Sequence, residues 1–198
     1  MTAKNKKNKK AQNLQGFLKE LIPLGKSFAL WGVTVVIVAL DYIHNQWFSL
    51  LFIDFTTHLL HWLSFLFSIS AEIGDKATTT ITTLEVIYRP VTINGYSMIV
   101  ELECSAYHAY LALISLVAFS RWTIKQKIIQ GTIMFLSLAI INSIRIIGLG
   151  LIGKQHPQFF DIFHDYFWNI LIVIIIWGMW EFVNQKLIKK NNTINQKS

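Results

Sequence analysis

FFDIFHDYFWNILIVIIIWGMWEFV, residues 159–183, decides the class of fold. Its centre, residues 170–179, carries no charge and is aliphatic or aromatic apart from one glycine and one methionine. A run of roughly 20 apolar residues spans a hydrocarbon core about 30 Å thick, so this segment reads as a membrane helix. Outward from it, residues 128–152 and 21–43 have the same character, and residues 106–120 form a shorter apolar stretch. Composition agrees: 53% of the chain is hydrophobic and only 15% is charged, against about 25% charged in an ordinary globular domain.

The charges are segregated. Seven lysines precede residue 27, and Lys186, Lys189 and Lys190 follow the last apolar run. Lysine clusters flanking membrane segments favour the cytoplasmic side and its anionic lipids, which accounts for the net charge of +7. A nucleic-acid partner is excluded because little chain remains outside the apolar runs to read or stack bases. A lysine-rich head before an apolar run also describes a signal peptide, but no small-x-small cleavage site follows, so residues 21–43 read as a retained span. The single cysteine, Cys104, rules out an internal disulfide framework.

Three regions follow: a disordered basic cytoplasmic head (1–20), a polytopic membrane domain (21–184) and a basic cytoplasmic tail (185–198). Within the domain, residues 70–103 change character. Threonine-rich and apolar strand-like runs alternate with Arg89-Pro90 and Asn94-Gly95, which predicts a small β-rich segment outside the membrane. The fold class expected is an all-α integral membrane protein, a bundle of four to five membrane helices carrying that outer segment. Residues 47–69 decide between four and five. Placing the basic head, the loop with Arg121, Lys125 and Lys127, and the tail all in the cytoplasm makes this helix interfacial or re-entrant, and gives four spans. Its Asp54, His58 and His61 recur at helical spacing as one polar stripe. No HExxH pattern or fourth ligand accompanies them, so the stripe reads as an amphipathic face rather than a metal site.

This topology brings three reactive side chains to one face of the membrane. Cys104 enters its helix from the outer side, Arg145 lies about two turns in from the outer end of the next, and His164 about one turn into the last. A guanidinium inside a span costs about 2.5–3.5 kcal/mol on insertion scales and marks a functional site by default; the competing role is a partner for Asp161 or Asp165. Cys104 is a nucleophile if the helix N-terminus favours its thiolate, against the charges of Glu101 and Glu103. His164 can exchange a proton near neutral pH, with His108 a rival for that role. Asn142, one turn from Arg145, is placed to orient the arginine or a substrate carbonyl.

Cys104-Ser105 at a helix entry, Asn142-Ser143-Ile144-Arg145-Ile146 in the next span and Phe163-His164 at the start of the last together resemble the exosortase/archaeosortase family of membrane transpeptidases. The likeness covers residues 94–180. Many members carry glycine where this chain has Ala106, and glycine shortly after the histidine where it has Phe167, Trp168 and Asn169. The resemblance implies catalytic Cys104, Arg145 and His164, substrate contacts at Asn142 and Ser105, and no cofactor or metal. It also implies substrate proteins with a C-terminal motif, a transmembrane helix and a basic tail, and a lipid or cell-envelope acceptor on the extracytoplasmic side of the cell membrane. A cysteine protease that only hydrolyses, and a non-catalytic assembly factor for secretion or polysaccharide export, stay open as alternatives. A transporter would need more paired polar groups at mid-membrane depth.

Overall fold

The computed structural model describes residues 3–44, 46–81 and 84–195, with side chains for 22–44, 46–80 and 85–186. The expected disordered head (1–20), and the basic tail (185–198) beyond its first two residues, lie outside the residues described with side chains. The elements run α1 (Ala3–His44), α2 (Trp47–Leu66), β1 (Ala71–Ile73), β2 (Ala77–Ile81), β3 (Leu84–Ile93), β4 (Tyr96–Val100), α3 (Tyr107–Phe119), α4 (Ile124–Gln155) and α5 (Trp168–Asn195). Short 3₁₀ turns occupy Glu103–Ser105 and Pro157–Phe159, and a π-helical turn occupies Ile162–Phe167.

Helices dominate, and four stretches are long and apolar enough to cross a membrane: Ile22–His44, Trp47–Leu66, Ile124–Gln155 and Pro157–Lys186. This is the mark of a membrane protein. The apolar side chains face two ways. In α4 half of the most apolar window is buried, whereas in the α1 and α5 stretches only 11% is, leaving Phe28, Val33, Trp177 and Phe182 exposed. Helices with apolar surface turned outward have lipid as their natural solvent. Helix α4 packs against α2, α3 and α5, while α1 lies on α3 and α2. Tyr110, Leu113, Leu138, Ala139, Ile172 and Ile176 form the core shared by α3, α4 and α5.

The four long helices are not the four spans read from the sequence, which counted residues 106–120 and set 47–69 apart. Helix α3 has only 13 residues, about 20 Å at 1.5 Å per residue. Helix α2 is long enough to cross, yet β3 runs beside it from end to end. At its start Gln46 donates to the Glu85 carbonyl and accepts from the Ile87 amide. Midway, Asp54 pairs with Arg89 at 2.8 Å and Lys76 at 3.2 Å. Past its end, Asn94 and Ser70 exchange backbone and side-chain hydrogen bonds. Both ends of α2 therefore abut the same sheet. Asp41, near the end of α1, closes the corner by accepting from the Phe48 amide at 2.8 Å, one of the orphan donors of a helix start.

The sheet is antiparallel, with β3 central: β4 pairs with Arg89–Ile93, and β1 and β2 pair with successive lengths of β3. Asn94 and Gly95 make the two-residue turn expected, both at positive φ (49° and 85°), the mirror-image turn that matches strand twist. Arg89-Pro90, expected as a break, lies instead inside β3. Gly74 donates to the Pro90 carbonyl, so that edge of Pro90 faces the junction between β2, whose pairing with β3 ends at Tyr88, and β1, whose pairing with β3 begins at Val91. The N–H that proline lacks would have pointed into this gap, which is why proline is tolerated.

Two glycines on α4 let the hairpin come close. A Cβ on Gly150 would lie 2.8 Å from the Ile93 Cβ, and one on Gly153 would meet the Tyr96 ring. Lys154 donates to the Asn94 carbonyl at 2.6 Å. Thus the β3–β4 hairpin is pressed against the last turns of α4.

Candidate active site

Cys104 sits on the 3₁₀ turn Glu103–Ser105, between β4 and α3. The turn joins α3 through Ala106, whose φ of 57° is left-handed, a conformation that costs a residue with a Cβ roughly 1–2 kcal/mol. This strained corner aims the sulfur into the bundle. Its other support is Asn142, whose Nδ2 donates to the Cys104 carbonyl at 3.1 Å and so ties α4 to the turn. Ser105 is fully buried, and its hydroxyl donates to the Leu102 carbonyl within the same turn. Neither Asn142 nor Ser105, both expected to touch substrate, lines the cavity described below; their polar groups hold the Cys104 turn.

His164 comes from the π-helical turn that opens the last helix. Such turns are rare and occur often at functional sites, because the extra residue re-aims a side chain. Here the imidazole Nε2 stands 3.6 Å from the Cys104 Sγ. On its other side Nδ1 lies 2.7 Å from the Asp165 carboxylate, and the ring stacks on Phe160 with centroids 5.6 Å apart. Arg145 comes from α4 and is 3% exposed. Its Nε has no hydrogen-bond partner, nor does the Oδ1 of Asn142 one turn away. A buried donor without a partner costs about 1–3 kcal/mol, a cost the fold bears at Arg145.

Cys104, Arg145 and His164 line one cavity with Met98, Ile99, Val100, Ile146, Leu149 and Phe160. The three side chains that the topology expectation brought to one face thus meet, although they derive from a 3₁₀ turn, a long helix and a π turn. The cavity's volume of about 20 Å³ is room for about one water. The thiol also approaches the Ile99 carbonyl at 3.7 Å. Beside the site, burial and the nearby Glu103 carboxylate push the Glu101 carboxyl above the usual carboxylate range, with His164 opposing the rise.

Other expectations resolve differently. His108 is exposed, lies against the Tyr107 ring and does not reach the cavity. No Arg145 ion pair with Asp161 or Asp165 forms; Asp165 bonds to His164 instead. That contact was missed in the sequence, where Asp165 figured only as a partner for the arginine. Adjacent residues on an α-helix do not face each other, so nothing in an α-helical reading of residues 159–183 signals it. Of the polar stripe on α2, Asp54 turns to Arg89 and Lys76 while His58 and His61 are exposed. Among the described residues no cluster of three metal-ligating side chains occurs.

Comparison with models of protein families, with curated proteins and with solved structures gives no match.

Proposed function

We propose that this chain is a membrane cysteine transpeptidase of the exosortase/archaeosortase kind, cleaving a C-terminal sorting signal of secreted proteins and passing them to a cell-envelope acceptor. The single observation that carries the reading is the 3.6 Å approach of the Cys104 Sγ to the His164 Nε2 in a cavity that Arg145 also lines. A nucleophile within reach of a base, a third group on the base and a cation nearby form the constellation that acyl transfer needs.

The steps follow from the contacts. Asp165 accepts the Nδ1 proton of His164 and leaves Nε2 free to take the thiol proton. The thiolate attacks a backbone carbonyl carbon of the substrate, and the C=O π pair moves onto oxygen. Arg145 offers its unpartnered Nε–H to that oxyanion, worth most in a site that excludes water. Collapse breaks the C–N bond, and the imidazolium returns its proton to the leaving amine. The resulting thioester is attacked by an acceptor amine or hydroxyl, whose proton passes to His164 as the thiolate leaves. With water as acceptor the same steps are hydrolysis.

The resting cavity admits no peptide. A substrate therefore enters as the β4 segment around Ile99 or the π turn moves aside. The positive-inside rule places the Arg121–Lys127 loop and the tail in the cytoplasm, and hence the sheet and Cys104 on the outer face of the cell membrane. With α2 lying along the sheet, the four crossings are α1, α3, α4 and α5, the 13-residue α3 being the shortest.

The test is co-expression with a secreted protein carrying a C-terminal motif, a transmembrane helix and a basic tail. Wild type is compared with Cys104→Ala, Arg145→Ala and His164→Ala at matched membrane levels. Processing is expected to stop in all three; processing that survives Cys104→Ala overturns the reading. Product mass then separates transfer from hydrolysis.

A further inference from the structure

Away from the Cys104 cavity, at the connected end of the α3–α4 hairpin, an open groove of about 450 Å³ runs between the two helices. Its walls are Leu113, Val117, Ile128 and Phe135, with Gly131 and Thr132 along the floor and Lys127 at the mouth. Gly131 allows close approach there, since an added Cβ would stand 3.2 Å from the Val117 side chain. The Lys127 ammonium donates to the Ala118 carbonyl at 2.5 Å, holding a cation over the groove's end. Lys125, two residues earlier in the first turn of α4, is exposed.

The charge around this mouth is one-sided. From Cys104 through Phe160 the chain contains no aspartate or glutamate, so neither α3 nor α4 carries an acid. The adjoining end of α5, tied to Trp122 through Asn184, adds Lys186 together with Glu181, whose carboxylate accepts from Gln185.

We propose that this groove binds one anionic phospholipid, an acyl chain between α3 and α4 and the headgroup phosphate at Lys127, with Lys125 adding positive charge at the same end of α4. An apolar slot ending in cations matches a lipid tail ending in an anion. The other apolar occupant of comparable shape, a transmembrane helix with a basic tail, would set its own cations against Lys125 and Lys127, and like charges brought together repel. The site's work is to fix the spacing of α3 and α4, the helices that position Cys104 and Arg145.

Native mass spectrometry of the purified full-length protein, with equal amounts of dioleoyl phosphatidylglycerol and dioleoyl phosphatidylcholine, tests this. One retained phosphatidylglycerol per chain is expected, at a preference on the order of 30-fold if each of the two lysines acts at full strength. Lys125→Gln with Lys127→Gln brings the two lipids towards parity. Thr132→Trp, which fills the floor, removes the adduct; Ile128→Trp serves as the second plug should the first variant not fold. Cys104→Ala retains the lipid unchanged, so this result is independent of the catalytic reading. Equal retention of both lipids by the wild type, retention undiminished in a folded plugged variant, or displacement of the lipid by an apolar helical peptide with a lysine tail overturns the proposal.

Discussion

The two ends of the α3–α4 hairpin enclose opposite things. At one, Cys104, Arg145 and His164 surround about 20 Å³; at the other, a groove of about 450 Å³ has aliphatic and aromatic walls. The reactive groups are where there is no room, and the room is where there are none. Buried polar groups without partners are costly in proportion to their desolvation, and the fold bears that cost at the Cys104 end by closing around Arg145. The apolar groove pays no such penalty in lipid, so nothing forces it shut. Volume alone therefore points away from the reactive side chains in this bundle, and polarity points towards them.

The sharpest way to break this contrast is to make the closed end apolar. Arg145→Met is expected to lower turnover on a processed substrate about 10²–10³-fold, the effect of removing one oxyanion donor. The same change removes a buried, unpartnered Nε–H, so the melting temperature should hold or rise. Activity assays beside thermal melts of detergent-solubilised protein check both. A variant that loses activity and stability together would make Arg145 a structural post.

A second approach loosens the closed end without touching its chemistry. Gly150→Ala drives a Cβ to 2.8 Å from the Ile93 Cβ, an atom too near the backbone to swing away, so β3 and β4 must shift. Overpacking of this kind costs about 1–3 kcal/mol. Lower melting and faster maleimide labelling of Cys104, which is 8% exposed at rest, are expected together.

Asp165 tests how far the site depends on a group outside the cavity. In the proposed mechanism it is a positioning residue, since it touches His164 and not the thiol. Outer partners of this kind are worth about 10–100-fold in metal sites, the nearest guide; since Asp165 is exposed, the low end, about tenfold, is expected for Asp165→Asn. The loss should fall on kcat with KM unchanged, and Asp165→Glu should restore part of it. Equal losses in both parameters would make the contact merely structural.

What could be read from sequence divides along the same line. The long apolar helices, the Asn94-Gly95 turn and the alignment of Cys104, Arg145 and His164 at one face follow from periodicity, turn chemistry and lysine placement, all local signals. The path of β3 along α2 does not, because Gln46, Asp54 and Asn94 find their partners 24 to 41 residues away. Nor does the π turn, which gives an i, i+1 pair a contact that regular helix geometry denies. Gly150 looked like any glycine in a membrane helix until the sheet was placed against it.

Ala106 links the two kinds of signal. Many members of the family that the sequence resembles carry glycine at this position, and the left-handed φ of 57° is a conformation that glycine adopts without a steric cost. Ala106→Gly should therefore raise stability by about 1 kcal/mol, the strain relieved exceeding the entropy lost. Melting with processing unchanged would show that the corner's shape, and not its side chain, presents the thiol.

The smallest effect concerns the rim of the closed end. Glu101 has its carboxyl raised by burial first and by Glu103 second, so the folded state holds its proton more tightly than the unfolded chain does. The stability this contributes is fully present below the unfolded carboxylate range, about pH 4, and is lost as pH rises through the folded value. Glu101→Gln keeps the shape and removes the titration. It should melt slightly higher than wild type at pH 7, and the gap should close as pH falls towards 4. A gap that widened on acidification would mean that the ionised carboxylate is stabilised by His164 more than it is opposed by Glu103, and the closed end would then be held together by charge as well as by exclusion of water.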